Sequence, residues 1–164
     1  MHEMGKNREN IKKTLARFIF FVILILQKKG RNMTDMTEYQ KAMDVLNDLA
    51  KEYEVWVQSD LEKLQAAFAK ATLAESNARF DIMMHEVFKT AHDMKGQGAT
   101  FGYDLITDIG NHLCRYIEKQ TTFDMPQIQA IQTHIDALDQ IVHQHLKGLG
   151  GSVGLALKEK IEAL

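Results

Sequence analysis

Cysteine and proline each occur once in the 164 residues. A lone cysteine, Cys114, cannot close an internal disulfide or build a cysteine-based zinc site, and it fits a reducing compartment. With so little proline and only ten glycines, the chain lacks the turn signals that a sandwich or barrel of short strands needs. No internal repeat and no low-complexity stretch interrupts it. What remains is ordinary globular composition, 45% hydrophobic and 26% charged, at a length suited to one domain. A domain near that size buries roughly 68–70% of its unfolded surface, enough for a real core.

The net charge of −2 conceals an asymmetry. Residues 1–32 carry eight Lys/Arg against two Asp/Glu, whereas residues 33–164 carry 12 against 20. The acidic body argues against nucleic acid as a partner, because that binding rests on phosphate neutralisation.

The basic extension holds nine uninterrupted apolar residues, Phe18 to Leu26. As a helix they would reach only ~14 Å at about 1.5 Å per residue, against the ~20 residues of a membrane span. Lys6, Arg8, Lys12, Lys13 and Arg17 resemble the charged region of a signal peptide, but no small-x-small cleavage site follows. Three readings stay open. Residues 11–29 lie on a membrane surface as an anchor, or they form an atypical signal, or translation starts at Met33 or Met36, where composition changes abruptly.

The body reads as helices. Thr37-x-x-Gln40 has capping-box spacing and opens a helix over about 38–50, with Met43, Leu46 and Leu49 at helical intervals. A second helix, about 52–74, aligns Val57, Leu61, Leu64, Phe68 and Ala71. Ser76 or Asn77 caps a third, which carries Phe80, Met83, Met84, Val87, Ala91 and Met94 and ends near Gly98 to Gly102. A fourth runs over about 103–119 through Leu105, Ile109, Leu113, Tyr116 and Ile117. Asp124, Pro126 and Gln127 combine an N-cap, an early-turn proline and a capping-box glutamine for the fifth. That helix carries Ile128, Ile131, Ile135, Leu138, Val142 and Leu146 until Gly148, Gly150 and Gly151 stop it. A short helix over about 153–163 can follow. The fold class is therefore all-α: an antiparallel up-down-up-down four-helix bundle with an extra N-terminal helix. It divides into an extension (1–32), an N-terminal helix (33–51), the bundle (52–147) and a C-terminal tail or short helix (148–164).

Glycines at 96, 98, 102 and 110 interrupt an otherwise strongly helical pattern and need a reason, since glycine in a helix costs about 1 kcal/mol against alanine. At 100° per residue, His92, Lys95, Gly96 and Ala99 share one face; Ala91, Met94, Gly98 and Phe101 share another that continues the apolar stripe. The first face should point outward, presenting an imidazole, a lysine one turn on, and a strip bare of side chains. His85, Phe88 and Lys89 fall near it. A neutral imidazole nitrogen is a nucleophile toward an activated phosphoryl group, and histidine's ordinary pKa of ~6.5 leaves much of it neutral at cellular pH. Lys95 can stabilise the transferring anion. Gly96 removes the Cβ that would block an approaching partner. Gly98 suits close helix packing.

His92-Asp93-Met94-Lys95-Gly96, followed by Gly102, resembles the signature of the histidine phosphotransfer (HPt) domain family; Ala91 and the Leu105…Leu113…Ile117 pattern fit as well. The resemblance covers about residues 52–147. It implies a helical bundle that shuttles phosphoryl groups between receiver-domain aspartates in a phosphorelay of bacterial two-component type. It implies that His92 is phosphorylated, that Lys95 and Gly96 assist, and that Gly102 turns the chain into the next helix. Met94 stands where the family often has leucine, a change that keeps an apolar contact. The partners implied are response-regulator receiver domains and a hybrid histidine kinase, with Mg²⁺ on the receiver and no cofactor in this chain. The expected place of work is the cytoplasm, as a monomer, or the inner membrane face if the extension anchors it. There is no Gly-x-x-x-x-Gly-Lys-Ser/Thr loop, so phosphoryl should come from a protein aspartate and not from ATP.

Weaker readings stand beside these. Gln97 borders the site and could support a phosphoryl oxygen; Phe88 is as well placed for core packing as for partner contact, and His85, Lys89 and Ala99 are docking candidates. A metal site finds little support. His143 and His145 point apart, His85 and His92 are two turns apart, and no His-Glu-x-x-His occurs. His112 and His134 lie on different helices, and sequence cannot place them together. Cys114 reads as structural. The competing functions are a non-catalytic adaptor or scaffold bundle and a helical metal-binding protein.

Overall fold

The computed structural model describes residues 36–74 and 77–164. The extension 1–32, Ser76 as a cap and the side chains of Met43, Leu46 and Asn77 lie outside the described residues and side chains. Five α-helices and no strand occur among the described residues: α1 Met36–Thr72, α2 Asn77–Gly98, α3 Asp104–Lys119, α4 Met125–His143 and α5 Gly151–Glu162. A 3₁₀ turn, Ala99–Phe101, joins α2 to α3. The protein is thus an all-α bundle with an extra helix.

The two helices expected over 38–50 and 52–74 are one continuous helix, α1. Asp48 to Glu54 holds no glycine, proline or cap residue that ends the helix, and Leu49, Ala50, Lys51 and Glu52 are all good helix formers. The capping box expected at Thr37 lies outside the described side chains. Both residues lie within the helix, and the Gln40 amide donates forward to Asp44 Oδ1 at 3.1 Å. The chain divides into two units after Leu49, and the core described below belongs to Ala50–Leu164.

Its core follows the helical spacings. Tyr53, Val57, Leu61, Leu64, Phe68 and Ala71 of α1 are buried, as are Met84, Val87, Ala91 and Met94 of α2. Leu105, Ile106, Ile109 and Leu113 of α3 are buried, as are Ile131, Ile135, Leu138 and Ile141 of α4. Each fully buried leucine or isoleucine contributes about 1.5–3 kcal/mol over its exposed state. The anticipated core residues Phe80 and Met83 are only half-buried; the Phe80 ring instead tilts against Phe123 at 5.3 Å.

α4 starts where expected, with Asp124 in extended backbone and Pro126 in the first turn, yet no side-chain cap bond forms. Gln127 Oε1 is buried without a partner, so the expected capping-box glutamine does not close. The helix also stops earlier than the glycines suggested. His145 takes a left-handed φ of 50°, and Leu146 N–H donates to Ile141 O at 3.0 Å. That is a Schellman stop, made here by a histidine where glycine is usual. Gly148, Gly150 and Gly151 instead shape the connector to α5. α5 returns to the bundle and buries Leu157 and Ile161. The connector is clamped to the α2–α3 turn: Gly148 N–H donates to Gly102 O at 2.7 Å, and Lys147 Nζ lies 3.8 Å above the Tyr103 ring while pairing with Glu54 at 3.1 Å. That pairing holds the Glu54 carboxyl below its usual range.

Candidate functional site

The site grows from the last three turns of α2. The 100° arithmetic separates its two faces correctly: Ala91, Met94, Gly98 and Phe101 are buried, whereas His92, Gly96 and Ala99 are exposed and Lys95 is half-buried. His85 and Lys89 are exposed on earlier turns, and Gln97 and Phe88 are half-buried. The Phe88 ring faces His92, with centroids 6.1 Å apart and planes inclined by 31°. Among the described residues no hydrogen bond engages either nitrogen of the His92 ring. A solvent-facing imidazole with both nitrogens free can offer a lone pair without first breaking an internal contact.

Glycines shape this face for different reasons. A Cβ on Gly96 would meet nothing within 4 Å, so nothing in the fold asks for glycine there. At Gly98, a Cβ would fall 2.7 Å from Tyr103 O and 2.9 Å from Thr107 Oγ1, so close packing of α2 on the following turn requires it. Gly102 adopts φ 78°, left-handed backbone that bends the chain into α3 as expected. At Gly110, on α3, a Cβ would sit 3.0 Å from Lys95 Cβ and 3.4 Å from Ala91 O. The two helices therefore touch directly beneath Lys95.

α3 holds Lys95 at both ends. Its Nζ donates to Asn111 Oδ1 at 3.4 Å. Its carbonyl accepts from Thr107 Oγ1–H at 2.9 Å, and the same hydroxyl oxygen accepts from Ala99 N–H at 2.9 Å. In an uninterrupted α-helix Ala99 N–H would donate to Lys95 O itself. Thr107 is inserted into that rung, and α2 tightens into the 3₁₀ turn there. Thr107, Gly110 and Asn111 escape sequence reasoning at the site. Their only local signal is a three- and four-residue spacing around a glycine, which says nothing about which helix they face.

Further titratable groups lie on α3 and α4. Cys114 is buried, its thiol donating to Phe88 O at 4.0 Å; burial pushes the thiol up, and the Lys95 charge opposes that. Structure brings together the histidines that sequence could not. His112 Nδ1 lies 2.7 Å from His134 Nε2, and His134 Nδ1 lies 2.7 Å from Ala130 O. A carbonyl only accepts, so His134 carries its proton on Nδ1 and its Nε2 accepts a hydrogen bond from His112 Nδ1–H. His134 is fully buried, and burial lowers it to about 4. Among the described residues no three His, Cys, Asp or Glu side chains gather to hold a metal.

The Hpt domain family model matches residues 48–144, more than half of the chain. No curated protein and no solved structure gives a match. With its helical bundle, its outward histidine and this match, the chain belongs to the Hpt domain family, the phosphocarriers of two-component signalling.

Proposed function

We propose that His92 accepts a phosphoryl group from the aspartyl-phosphate of a receiver domain and passes it to the aspartate of another. The observation that carries this reading is an exposed imidazole with no hydrogen bond among the described residues, one turn from Lys95 and near a glycine the fold does not require.

A neutral ring nitrogen directs its lone pair at phosphorus, in line with the carboxylate oxygen of the donor aspartate. The N–P bond forms as the P–O bond breaks, and the carboxylate leaves with the bonding pair. The other ring nitrogen keeps its proton, so no general base is needed. Lys95 offsets charge on the transferring oxygens; losing one such positioned donor typically costs about 10²–10³ in rate. The bare surface at Gly96 and Ala99 lets the donor reach the side of a helix. Reversal loads the next aspartate, and since both bonds are labile the net direction follows partner concentrations.

Hpt family members work with receiver domains and histidine kinases. For this chain the partners proposed are a hybrid histidine kinase and a response regulator, with Mg²⁺ supplied by the receiver. Gln97, whose amide makes no hydrogen bond among the described residues, is proposed to meet a phosphoryl oxygen. Phe88, His85, Lys89 and Ala99 are proposed to form the rim on which the receiver sits. The proposed setting is the cytoplasm, with the chain acting as a monomer. No described helix is long and apolar enough to cross a membrane.

The test is incubation with a phosphorylated receiver domain. The wild type should take up an acid-labile, base-stable label that His92→Gln abolishes while the helical circular dichroism stays unchanged. An adaptor would bind the receiver equally well with either residue and take up nothing.

A further inference from the structure

We infer that Asn111 is the positioning residue for Lys95, and that its neutrality is the property the site uses. The inference rests on the phosphotransfer reading of His92.

Lys95 is half-buried, and its stem crosses Gly110 at a separation too small for a side chain beneath it. Its backbone oxygen is fixed by Thr107 at 2.9 Å. Only the outer part of the side chain keeps rotational freedom, and Asn111 Oδ1 takes that end at 3.4 Å. A lysine ammonium is a mobile point charge with three donors. One donor spent on Asn111 leaves two for an incoming phosphoryl oxygen.

The acceptor's charge matters more than the bond. Acidic side chains outnumber basic ones in the body of this chain, and Asp93 and Asp108 are close in sequence to Lys95 and Asn111. Among the described residues Lys95 nevertheless bonds no carboxylate; its side-chain acceptor is an amide oxygen. A carboxylate at position 111 would hold the ammonium in much the same place while neutralising the charge that the transferring phosphoryl group must feel. An amide orients the cation and leaves its field intact. The arrangement also places the control of a residue on α2 entirely on α3, three and four residues from Thr107 and next to Gly110.

The experiment uses the full chain in single-turnover transfer from a phosphorylated receiver domain, titrated to saturation. Asn111→Asp should lower the limiting rate about tenfold, with the half-saturating receiver concentration within about twofold of wild type. Asn111→Gln, which stays neutral, should keep the rate within about threefold. In a Lys95→Ala background, Asn111→Asp should add no further loss, since the partner it acts through is gone. Circular dichroism checks that each variant keeps its helices.

A wild-type rate for Asn111→Asp overturns the inference, as does a loss in Asn111→Gln equal to that in Asn111→Asp, or an undiminished loss in the Lys95→Ala background. A labelled wild type with any of these outcomes removes this inference alone. If the wild type takes no label, the reading of His92 falls and this one falls with it.

Discussion

Lys95 Cβ lies 3.0 Å from where a side chain on Gly110 would begin. Both atoms are anchored to helix backbone, so neither can swing aside. Gly110→Ala gains up to about 1 kcal/mol of helix propensity but must push α2 away from α3, at a cost of about 1–3 kcal/mol. With the full propensity gain the expected result is a net loss of up to about 2 kcal/mol, read as a lower urea midpoint with an unchanged slope. The displaced lysine should also slow phosphoryl uptake.

Gly96 carries the opposite expectation. Open space surrounds its missing Cβ, so Gly96→Ala should stabilise the protein by up to about 1 kcal/mol. The melting temperature should rise by about 2–4 °C. Transfer from a receiver domain should nonetheless slow, because the added methyl stands where the partner must approach. Phosphorylation by a small donor such as phosphoramidate should slow much less. Equal loss with both donors would assign Gly96 to chemistry and not to access.

His134 gives the stability a defined acid limb. Burial holds its folded value at about 4, and its unfolded value should lie near ~6.5. Between these two the unfolded chain binds more protons, so stability falls as pH drops from ~6.5 toward 4 and the loss levels off below that. The shift corresponds to a loss of about 3 kcal/mol at most. Urea unfolding across this window should show the decline in wild type, and His134→Gln should flatten it. The rings of His112 and Tyr116 lie against His134, at centroid distances of 5.0 and 5.6 Å.

Cys114 should be inert in the folded protein. It is buried and its thiol is pushed up, so little thiolate is available. Alkylation at neutral pH should follow global unfolding, with a rate that rises in step with added urea. Rapid alkylation without denaturant would mean that α3 opens locally against α2.

How much of this was legible in the sequence depends on how far each feature reaches. The outward face of His92 needed only the 100° step of its own helix, and it came out right. Gly98 and Gly102 were readable because each acts within a few residues of itself. The continuity of α1 through Lys51 is hard to read from sequence: two good helical patterns side by side look like two helices, and only the lack of a breaker between them argues otherwise. The end of α4 falls before the glycines because a histidine, His145, adopts backbone that composition assigns to glycine. Thr107 and Asn111, and the contact of His112 with His134, depend on the register between helices. That register is set by how closely Gly98 and Gly110 let backbones approach, and periodicity within one helix carries no record of it.

The position of the label tests phosphoryl transfer through His92 most directly. Protein phosphorylated by a receiver domain is digested at alkaline pH, where phosphohistidine survives, and the fragments are sequenced by mass spectrometry. A single phosphoryl group should be found on His92, removed by brief acid treatment and transferable to a fresh receiver. A label on another residue, or none on a folded protein mixed with a competent donor, would contradict it.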